Sequence, residues 1–183
     1  MEPGKIVFQG KIGEQDIIVR SPTLDDIDPL LAFINEASSE RTFIRMRDVT
    51  LTFAQEAQYL EDVLSKMKEQ NMIKLVAFCG DEVVGAGDVT RQQYTEKHIG
   101  LYGILVKKSF RGKGIGKKLT ELCLQVTKEE LPGIETLILT VYGANSIAQK
   151  MYRSFGFTDY GRLPNGRKLE NGYDDVLLMH RPL

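Results

Sequence analysis

The stretch "KSFRGKGIGKKL", residues 108–119, is the most informative part of the sequence because it joins two apolar segments through glycines and basic side chains. Gly112, Gly114 and Gly116 lie between a predicted strand and a predicted helix. Glycines let backbone N–H groups approach a ligand closely, and a helix N-terminus favours negative charge. The stretch therefore predicts an anion site, and a phosphate group is the expected ligand.

The spacing of these glycines distinguishes three phosphate-binding patterns. A Walker loop requires four residues between its first glycine and a Gly-Lys-Ser/Thr end, and the stretch from Gly112 is one residue short and lacks the hydroxyl residue. The dinucleotide fingerprint G-x-G-x-x-G is not matched by "GKGIGK", and no convincing acidic partner follows about 20 residues later. The third pattern, Arg/Gln-x-x-Gly-x-Gly/Ala, is matched at every fixed position by "RGKGIG", residues 111–116.

The chain resembles the GCN5-related N-acetyltransferases, whose acetyl-CoA loop has this third pattern between the family's fourth strand and third helix. The segment "LTVYGANSIAQKMYRSFGF", residues 139–157, is similar to the next strand and helix of that family. The closing segment "GRLPNGRKLENGYDDVLLMHRPL", residues 161–183, is similar to the C-terminal hairpin of many members. The resemblance covers the chain well from the third predicted strand onward and the earlier part only in outline.

The apolar pattern predicts strands and helices that alternate along the whole chain. Strands are expected on both sides of a turn at Gly80–Asp81. Helices are expected after capping-box patterns at Thr23–Asp26 and Thr52–Gln55, and Phe53 begins the apolar stripe of the second helix. Helices that flank a central mixed, mostly antiparallel sheet form an α/β (α+β) fold, which is also the fold that the resemblance implies.

The composition is that of an ordinary globular domain. Of the 183 residues, 42% are apolar and 27% are charged, and this length suits one well-buried core. We therefore expect a single N-acetyltransferase domain over residues 1–183. Residues 1–75 would supply the acceptor side, and residues 76–183 would supply the acetyl-CoA-binding core and the C-terminal hairpin.

Charge, hydropathy and cysteine usage restrict the partners and the compartment. The formal net charge of −1 gives no global field for nucleic acid, and only Phe110 is interleaved with the basic residues 107–118. No apolar run approaches the roughly 20 residues that cross a bilayer, and no secretory signal is evident. Cys79 and Cys123 lie in apolar stretches, which predicts packed thiols. We expect a cytoplasmic protein with no nucleic-acid and no membrane partner.

The resemblance implies how the chain would hold acetyl-CoA. Backbone N–H groups of the glycine loop would bind the pyrophosphate, and the loop lysines would steer the cofactor towards the site. The pantetheine arm would pair with the strand segment Gly103–Val106 as an added strand does, with a backbone N–H facing the thioester oxygen. The expected cofactor-binding residues are Leu105, Val106, Arg111, Gly112, Lys113, Gly114, Ile115, Gly116, Lys117, Asn145 and Tyr152.

Tyr152 is the predicted general acid. The family has a cofactor-contacting asparagine and a tyrosine at the positions of Asn145 and Tyr152. An unperturbed tyrosine titrates near 10 and a thiol near 8.5, so a phenol can protonate the leaving thiolate without extreme tuning. Asn145 and Tyr152 would share a helix face with the small Ala148 between them, and Asn145 would also suit a helix N-cap. Ile147, Met151 and Phe155 would lie in the core.

His98 is the predicted proton acceptor for the amine, with Glu96 as a second candidate. Many relatives have a glutamate near the start of the fourth strand, which is about where His98 falls. A histidine near pKa 6.5 could accept a proton directly or through water. If neither residue serves, the amine would reach the site neutral and bulk water would be the base.

The acceptor is open at this point. The predicted helices before residue 71 and the hairpin tip "LPNGRKLENG" mix both signs of charge, so amino acids, polyamines, lysines and peptide N-termini are all compatible. We predict acetyl transfer by direct attack of a primary amine in a ternary complex. The alternative is a catalytically silent CoA-binding regulatory module, although such a module would have no need of Tyr152 as a proton donor. An exposed edge of the C-terminal hairpin could support a homodimer.

Overall fold

A computed structural model of the protein describes residues 1–40 and 43–183. Within that part of the chain the strands are β1 (Ile6–Ile12), β2 (Gln15–Arg20), β3 (Met72–Cys79), β4 (Glu82–Arg91), β5 (Ile99–Val106), β6 (Thr136–Tyr142), β7 (Thr158–Leu169) and β8 (Gly172–Pro182). The α-helices are α1 (Ile27–Ser39), α2 (Phe53–Lys68), α3 (Ile115–Glu130) and α4 (Ser146–Ser154). Short 3-10 turns lie at Leu24–Asp26, Tyr94–Glu96 and Lys108–Phe110.

The strands form one mixed sheet in the order β1-β2-β3-β4-β5-β6-β8-β7. β5 and β6 pair in parallel, whereas β1 with β2, β2 with β3, β3 with β4, β6 with β8 and β7 with β8 pair in antiparallel fashion. The predicted mixed, mostly antiparallel sheet flanked by helices is therefore confirmed. β5 precedes the glycine loop and is therefore the strand that the resemblance equates with the family's fourth strand.

The described chain divides into two compact units. The first comprises residues 1–90 and 103–132, and the second comprises residues 91–102 and 133–183. The first has a core in which α1 and α2 pack on the sheet through side chains that include Phe33, Leu60, Val63, Met67 and Val76. The largest fully buried side chains of the second are Leu137, Leu139, Phe157 and Met179.

Both capping-box patterns are present, but only one opens an α-helix directly. At Thr52 the side-chain hydroxyl accepts a bond from the Gln55 backbone N–H, and the Gln55 side chain accepts one from the Thr52 backbone N–H, just before α2. At Thr23 the capping box forms at the start of the 3-10 turn Leu24–Asp26 instead, and α1 begins after that turn. Phe53, predicted to begin the apolar stripe of the second helix, is not part of the stripe that α2 buries. Phe53 is 53% exposed because the buried stripe of α2 begins one turn later, at Glu56.

An ion pair between the half-buried Arg20 and the buried Asp26 fixes the entry to α1. The two terminal guanidinium nitrogens of Arg20, Nη1 and Nη2, donate to the carboxylate of Asp26 at 2.7 and 2.6 Å, and the backbone N–H of Thr23 donates to it at 2.7 Å. Burial alone would raise the pKa of Asp26, but the bonds from Arg20 and Thr23 outweigh it, so the pKa lies below its usual value. The ionised carboxylate therefore stabilises the folded state.

We expect Asp26→Asn to lower the free energy of unfolding by about 2 kcal/mol, because Arg20 loses a charged partner in a poorly solvated position. Urea unfolding at neutral pH measures this loss, with the exposed Asp25→Asn as control. The native pKa is the lower one, so the stabilisation is complete above the unfolded pKa, about 3.9, and is lost as the pH falls towards the native value. Equal stability of the two variants at neutral pH would contradict the prediction.

No helix among the described residues is long and apolar enough to cross a membrane. Cys79 and Cys123 are free thiols, and Cys123 is fully buried. The prediction of packed thiols is therefore confirmed for Cys123, whereas Cys79 is only half-buried at the end of β3.

Candidate active site

The glycine loop leads from the end of β5 into the N-terminus of α3. Gly112 and Gly114 have φ values of +76° and +94°, a backbone conformation that favours glycine. Gly114 is the N-cap of α3, and its carbonyl accepts from the Lys118 backbone N–H at 3.0 Å. A helix leaves its first N–H groups without intrahelical partners. The backbone N–H groups of Ile115, Gly116 and Lys117 are therefore suited to bind an anion, as the sequence predicts.

Two cations at the start of the loop are engaged with acidic residues. Lys107 Nζ lies 2.6 Å from Glu36 Oε2 and 2.5 Å from Glu82 Oε1. The hydrogen bonds to these two carboxylates raise the pKa of Lys107, and the ammonium stays charged. Arg111 donates to the Val106 carbonyl at 2.9 Å and lies 2.7 Å from Glu40. These side chains hold the loop in place.

The remaining loop lysines are available to the solvent. Lys108, Lys113 and Lys117 are exposed, and Lys113 Nζ lies 4.9 Å from the centre of the Phe110 ring. Exposed cations around a backbone anion site raise its positive potential and its rate of encounter with a charged ligand. Their positions agree with the steering role expected from the sequence.

The last residues of β5 offer backbone groups to an extended ligand. The parallel register between β5 and β6 runs from Ile99 to Leu101 on β5, whereas β5 continues to Val106. On the β4 side, the Lys107 N–H donates to the Val84 carbonyl at 2.9 Å. Leu105 and Val106, the two cofactor-contacting residues predicted on this strand, are half-buried. The segment Gly103–Val106 is therefore suited to the added-strand role predicted for it.

A cavity of about 440 Å³ lies beside this segment, within the first unit. We call it the β5 pocket. Its apolar wall includes Leu30, Phe33, Ile34, Leu51, Ile104 and Leu105. Its polar side includes Glu56, Tyr59, Lys74 and Asp88. A concave, mostly apolar cavity with a few convergent polar groups is the usual form of a small-molecule site.

Lys74 is at the centre of the polar side of the β5 pocket. It lies on β3 opposite Asp88 of β4, and it is only 7% exposed. Its ammonium donates to the Tyr59 hydroxyl at 3.1 Å and lies 5.1 Å from the centre of that ring. Burial lowers the pKa of Lys74, but Tyr59, Asp88 and Glu56 raise it by more. Lys74 is therefore a charged residue in a buried position.

The negative charges of the two pocket carboxylates have fewer favourable partners than the positive charge of Lys74. Glu56 is 3% exposed, and burial raises its pKa although Lys74 acts in the opposite direction. Burial likewise raises the pKa of Asp88 against the effect of Lys74. Within residues 1–40 and 43–183, neither carboxylate accepts a hydrogen bond from a side chain. Lys74 therefore acts on both carboxylates only through its charge, without a direct hydrogen bond to either of them.

Tyr152 lies in an aromatic cluster of the second unit. Its ring centre is 6.1 Å from that of Tyr102 and 5.9 Å from that of Phe157, in edge-to-face geometry in both cases. Tyr152 is 7% exposed, and burial raises its pKa to about 12. The phenol is therefore protonated at every ordinary pH, as a proton donor requires.

Asn145 caps α4. Its side-chain oxygen accepts from the Ala148 backbone N–H at 3.2 Å, which confirms the N-cap expected from the sequence. The expectation that Ile147 lies in the core is wrong, since it is 82% exposed. In this short helix Gln149 and Tyr152 are the buried residues. The Gln149 amide donates to the carbonyls of Tyr142 and Gly143, which places a polar side chain on the inner face.

Comparison with protein families agrees with this geometry. The model of the acetyltransferase (GNAT) family matches residues 34–157, which is more than half of the chain. The chain belongs to the GNAT family. The resemblance inferred from the glycine loop is thereby confirmed.

Individual GNAT proteins show how far the likeness extends. N-alpha-acetyltransferase 30 of Schizosaccharomyces pombe is 34% identical over 92 residues, which are 48% of this chain and 59% of that protein. The chain therefore matches about three-fifths of the length of this curated relative. The crystal structure of a GNAT acetyltransferase from Streptococcus pneumoniae is 27% identical with a TM-score of 0.83, covering 92% of this chain and 100% of that one.

RimL, a ribosomal L7/L12 alpha-N-protein acetyltransferase solved with coenzyme A, shares the fold at low identity. It is 13% identical with a TM-score of 0.81, and the match covers 98% of each chain. At that identity the likeness concerns the GNAT fold alone.

The GNAT residues predicted from the sequence lie in both units. The glycine loop and Gly103–Val106 are in the first unit, whereas Asn145, Tyr152 and His98 are in the second. His98 is exposed directly before β5, and its carbonyl accepts from the backbone N–H groups of Glu135 and Thr136. Glu96 is also exposed, in the preceding 3-10 turn. The catalytic roles of these residues stay predictions.

The sequence analysis missed the polar side of the β5 pocket. Lys74 and Asp88 are charged residues inside the apolar strand segments "IKLVAF" and "EVVGAGDV". A charge within a buried strand is rarely tolerated unless it is paired, and that pattern was the available signal. Glu56 carried no such signal, since glutamate is common in the first turn of a helix.

Proposed function

We propose that this GNAT protein transfers an acetyl group from acetyl-CoA to a primary amine that attacks directly in a ternary complex. The observation that carries this proposal is the presence of three features in the first unit: the backbone anion site at α3, the strand segment Gly103–Val106 that leads to it along the chain, and the β5 pocket that this segment lines. A nucleotide pyrophosphate suits the first part, an extended arm suits the second, and an acceptor suits the third.

In this proposal the chain supplies binding, orientation and proton transfer. Acetyl-CoA supplies the activated acyl group. Backbone N–H groups from Gly112 to Lys117 hold its phosphates, and Gly103–Val106 orients its arm as an added strand does. Tyr152 protonates the leaving thiolate. Burial raises the pKa of this phenol to about 12, which keeps it protonated before the reaction but makes it a weaker acid than a free phenol. His98, with Glu96 as the second candidate, stays the proposed proton acceptor.

The acceptor class in this proposal is a primary amine. The Schizosaccharomyces pombe relative is named for N-alpha acetylation, which is consistent with an amine as the acceptor. We further propose a cytoplasmic location for this chain, because Cys79 and Cys123 are free thiols of the kind that a reducing compartment preserves.

Calorimetric titration with acetyl-CoA, followed by thiol release against a panel of amines, tests the proposed function. We expect saturable binding of acetyl-CoA and release of CoA thiol with at least one class of primary amine. Absence of acetyl-CoA binding would contradict the proposal. Tight binding without thiol release on any amine would favour the regulatory module over the enzyme.

A further inference from the structure

The β5 pocket has a charge imbalance that a ligand can correct. The described charged residues that line it are Glu56, Lys74 and Asp88, which give a formal charge of −1 when all three are ionised. Burial raises the pKa of both acids, so their ionised forms are short of favourable partners. In a poorly solvated site an unbalanced charge is costly, and a bound charge of the opposite sign relieves that cost.

The cation of the pocket is already engaged. The Lys74 ammonium donates to the Tyr59 hydroxyl at 3.1 Å, and the charges of Asp88 and Glu56 raise its pKa. Lys74 is also held on β3, directly opposite Asp88 in the register of the two strands. A ligand carboxylate that bound to Lys74 would add a third negative charge beside Glu56 and Asp88. Negative charges that are brought together in a poorly solvated site repel one another.

The two acids approach the pocket from different elements. Glu56 lies in the first turn of α2, where the helix dipole favours a negative charge. Asp88 lies on β4 beside β5, and its Oδ1 would be 3.7 Å from a Cβ placed on Gly103. A cation between them would lie next to the strand segment that is proposed to orient the thioester. The neighbouring wall of Leu30, Phe33 and Leu105 suits an apolar group.

We propose that the β5 pocket binds the acceptor as a primary ammonium ion on an apolar group, held by Glu56 and Asp88, and that it rejects amines with an adjacent carboxylate. This inference rests on the proposed function and narrows its acceptor class. It selects monocationic amines, including alkylamines and the N-terminal amines of peptides, over free amino acids. The bound ammonium brings the formal charge of the pocket to zero.

A matched set of probes tests the selection. Isoamylamine, leucinamide and leucine carry the same branched alkyl side chain, but only leucine has a carboxylate beside the amine. We expect kcat/KM to be at least about tenfold higher for leucinamide and isoamylamine than for leucine, because leucine leaves charges unpaired in the pocket. A short amidated peptide that begins with leucine carries the same amine at a peptide N-terminus. Comparing it with leucinamide shows whether the acceptor is a peptide or a small amine.

Two variants test the residues. Glu56→Gln and Asp88→Asn keep the side-chain shape and remove the charge, and each is expected to raise the Kd of leucinamide for the CoA-saturated protein by about tenfold or more. The control variants are Glu61→Gln on the exposed side of α2 and Asp81→Asn in the turn before β4. Acetyl-CoA affinity and Tm are measured for all four variants, so that loss of the fold is recognised.

The pH dependence of leucinamide binding gives a second readout. Lys74 of β3, which is bonded to Tyr59 of α2, lowers the pKa of both acids, and the buried thiol of Cys123 on α3, whose pKa is raised by burial and by Asp88, interacts with Asp88. Because the acid pKa values are raised, protonation on acidification begins above the usual carboxyl range near 4. We expect leucinamide affinity to fall as the pH falls through those raised values. The variant that combines Glu56→Gln with Asp88→Asn is expected to lose that pH dependence.

The outcomes separate this inference from the proposed function. If acetyl-CoA does not bind, the proposed function itself fails. If acetyl-CoA binds and leucine is acetylated as well as leucinamide, only the inference about the acceptor fails. Leucinamide binding that is unchanged in both Glu56→Gln and Asp88→Asn would also overturn it, as would acetylation confined to carboxylate-bearing amines.

Discussion

Gly114→Asp is expected to weaken acetyl-CoA binding by at least about a hundredfold, which corresponds to about 2.7 kcal/mol. The backbone at Gly114 has φ +94°, and a Cβ there would lie 3.3 Å from Ile12 Cγ2. The new carboxylate would stand at the N-cap of α3, where the backbone N–H groups are expected to face a pyrophosphate. Two negative charges within a few ångströms repel strongly even when partly solvated.

Gly114→Asn distinguishes the effect of the new charge on acetyl-CoA affinity from the effect of backbone strain. Asparagine has nearly the same shape as aspartate, and it tolerates positive φ better than most residues. We therefore expect Gly114→Asn to bind acetyl-CoA within about tenfold of the original protein, since only moderate backbone strain remains. Calorimetric titration of both variants, with Tm as a check on folding, is the measurement. Equal affinity of the aspartate and asparagine variants would remove the pyrophosphate from this position.

Tyr152→Phe is expected to lower kcat by about a hundredfold or more, with the affinity for acetyl-CoA nearly unchanged, because it removes only the proton donor. The phenylalanine ring keeps the edge-to-face packing with Tyr102 and Phe157. Since burial raises the pKa of Tyr152 to about 12, the original phenol holds its proton through the whole working range. Single-turnover thiol release and acetyl-CoA titration separate the two effects.

Tyr160→Phe is the control for the loss of a hydroxyl group. Tyr160 is 52% exposed on β7, and removing its hydroxyl should leave both kcat and Tm unchanged. Unaltered kcat in Tyr152→Phe would exclude this residue as the proton donor. A parallel loss of acetyl-CoA affinity and Tm would assign it to packing instead of catalysis.

The local features of the fold were predictable from the sequence. The segment "IGKKLTELCLQVTKEE" carries apolar residues at helical spacing after a glycine loop, and α3 covers the same residues, Ile115–Glu130. The capping box at Thr52 predicts the start of α2 because both of its hydrogen bonds are formed between residues close in the chain. Such signals need no knowledge of the tertiary structure.

The β5 pocket could not be predicted in the same way, because its members come from distant parts of the chain. Glu56 lies on α2, Lys74 on β3 and Asp88 on β4, and the register between the two strands brings Lys74 opposite Asp88. Likewise, the exposure of Ile147 depends on which face of α4 the rest of the fold covers. Helical spacing groups residues on faces but does not say which face is buried.

The two ion pairs of Lys107 have a consequence for the energetic coupling between the two substrates. This one side chain joins Glu36 of α1 to Glu82 of β4, and it stands where β5 passes into the glycine loop. α1 also supplies Leu30 and Phe33 to the β5 pocket. A ligand that displaces the loop would break both contacts of Lys107, and a ligand that displaces α1 would break the contact with Glu36, so the two ligands share the Lys107–Glu36 pair. Thermodynamic linkage then requires a reciprocal effect. If bound acetyl-CoA changes the affinity for the acceptor by some factor, the bound acceptor changes the affinity for acetyl-CoA by the same factor.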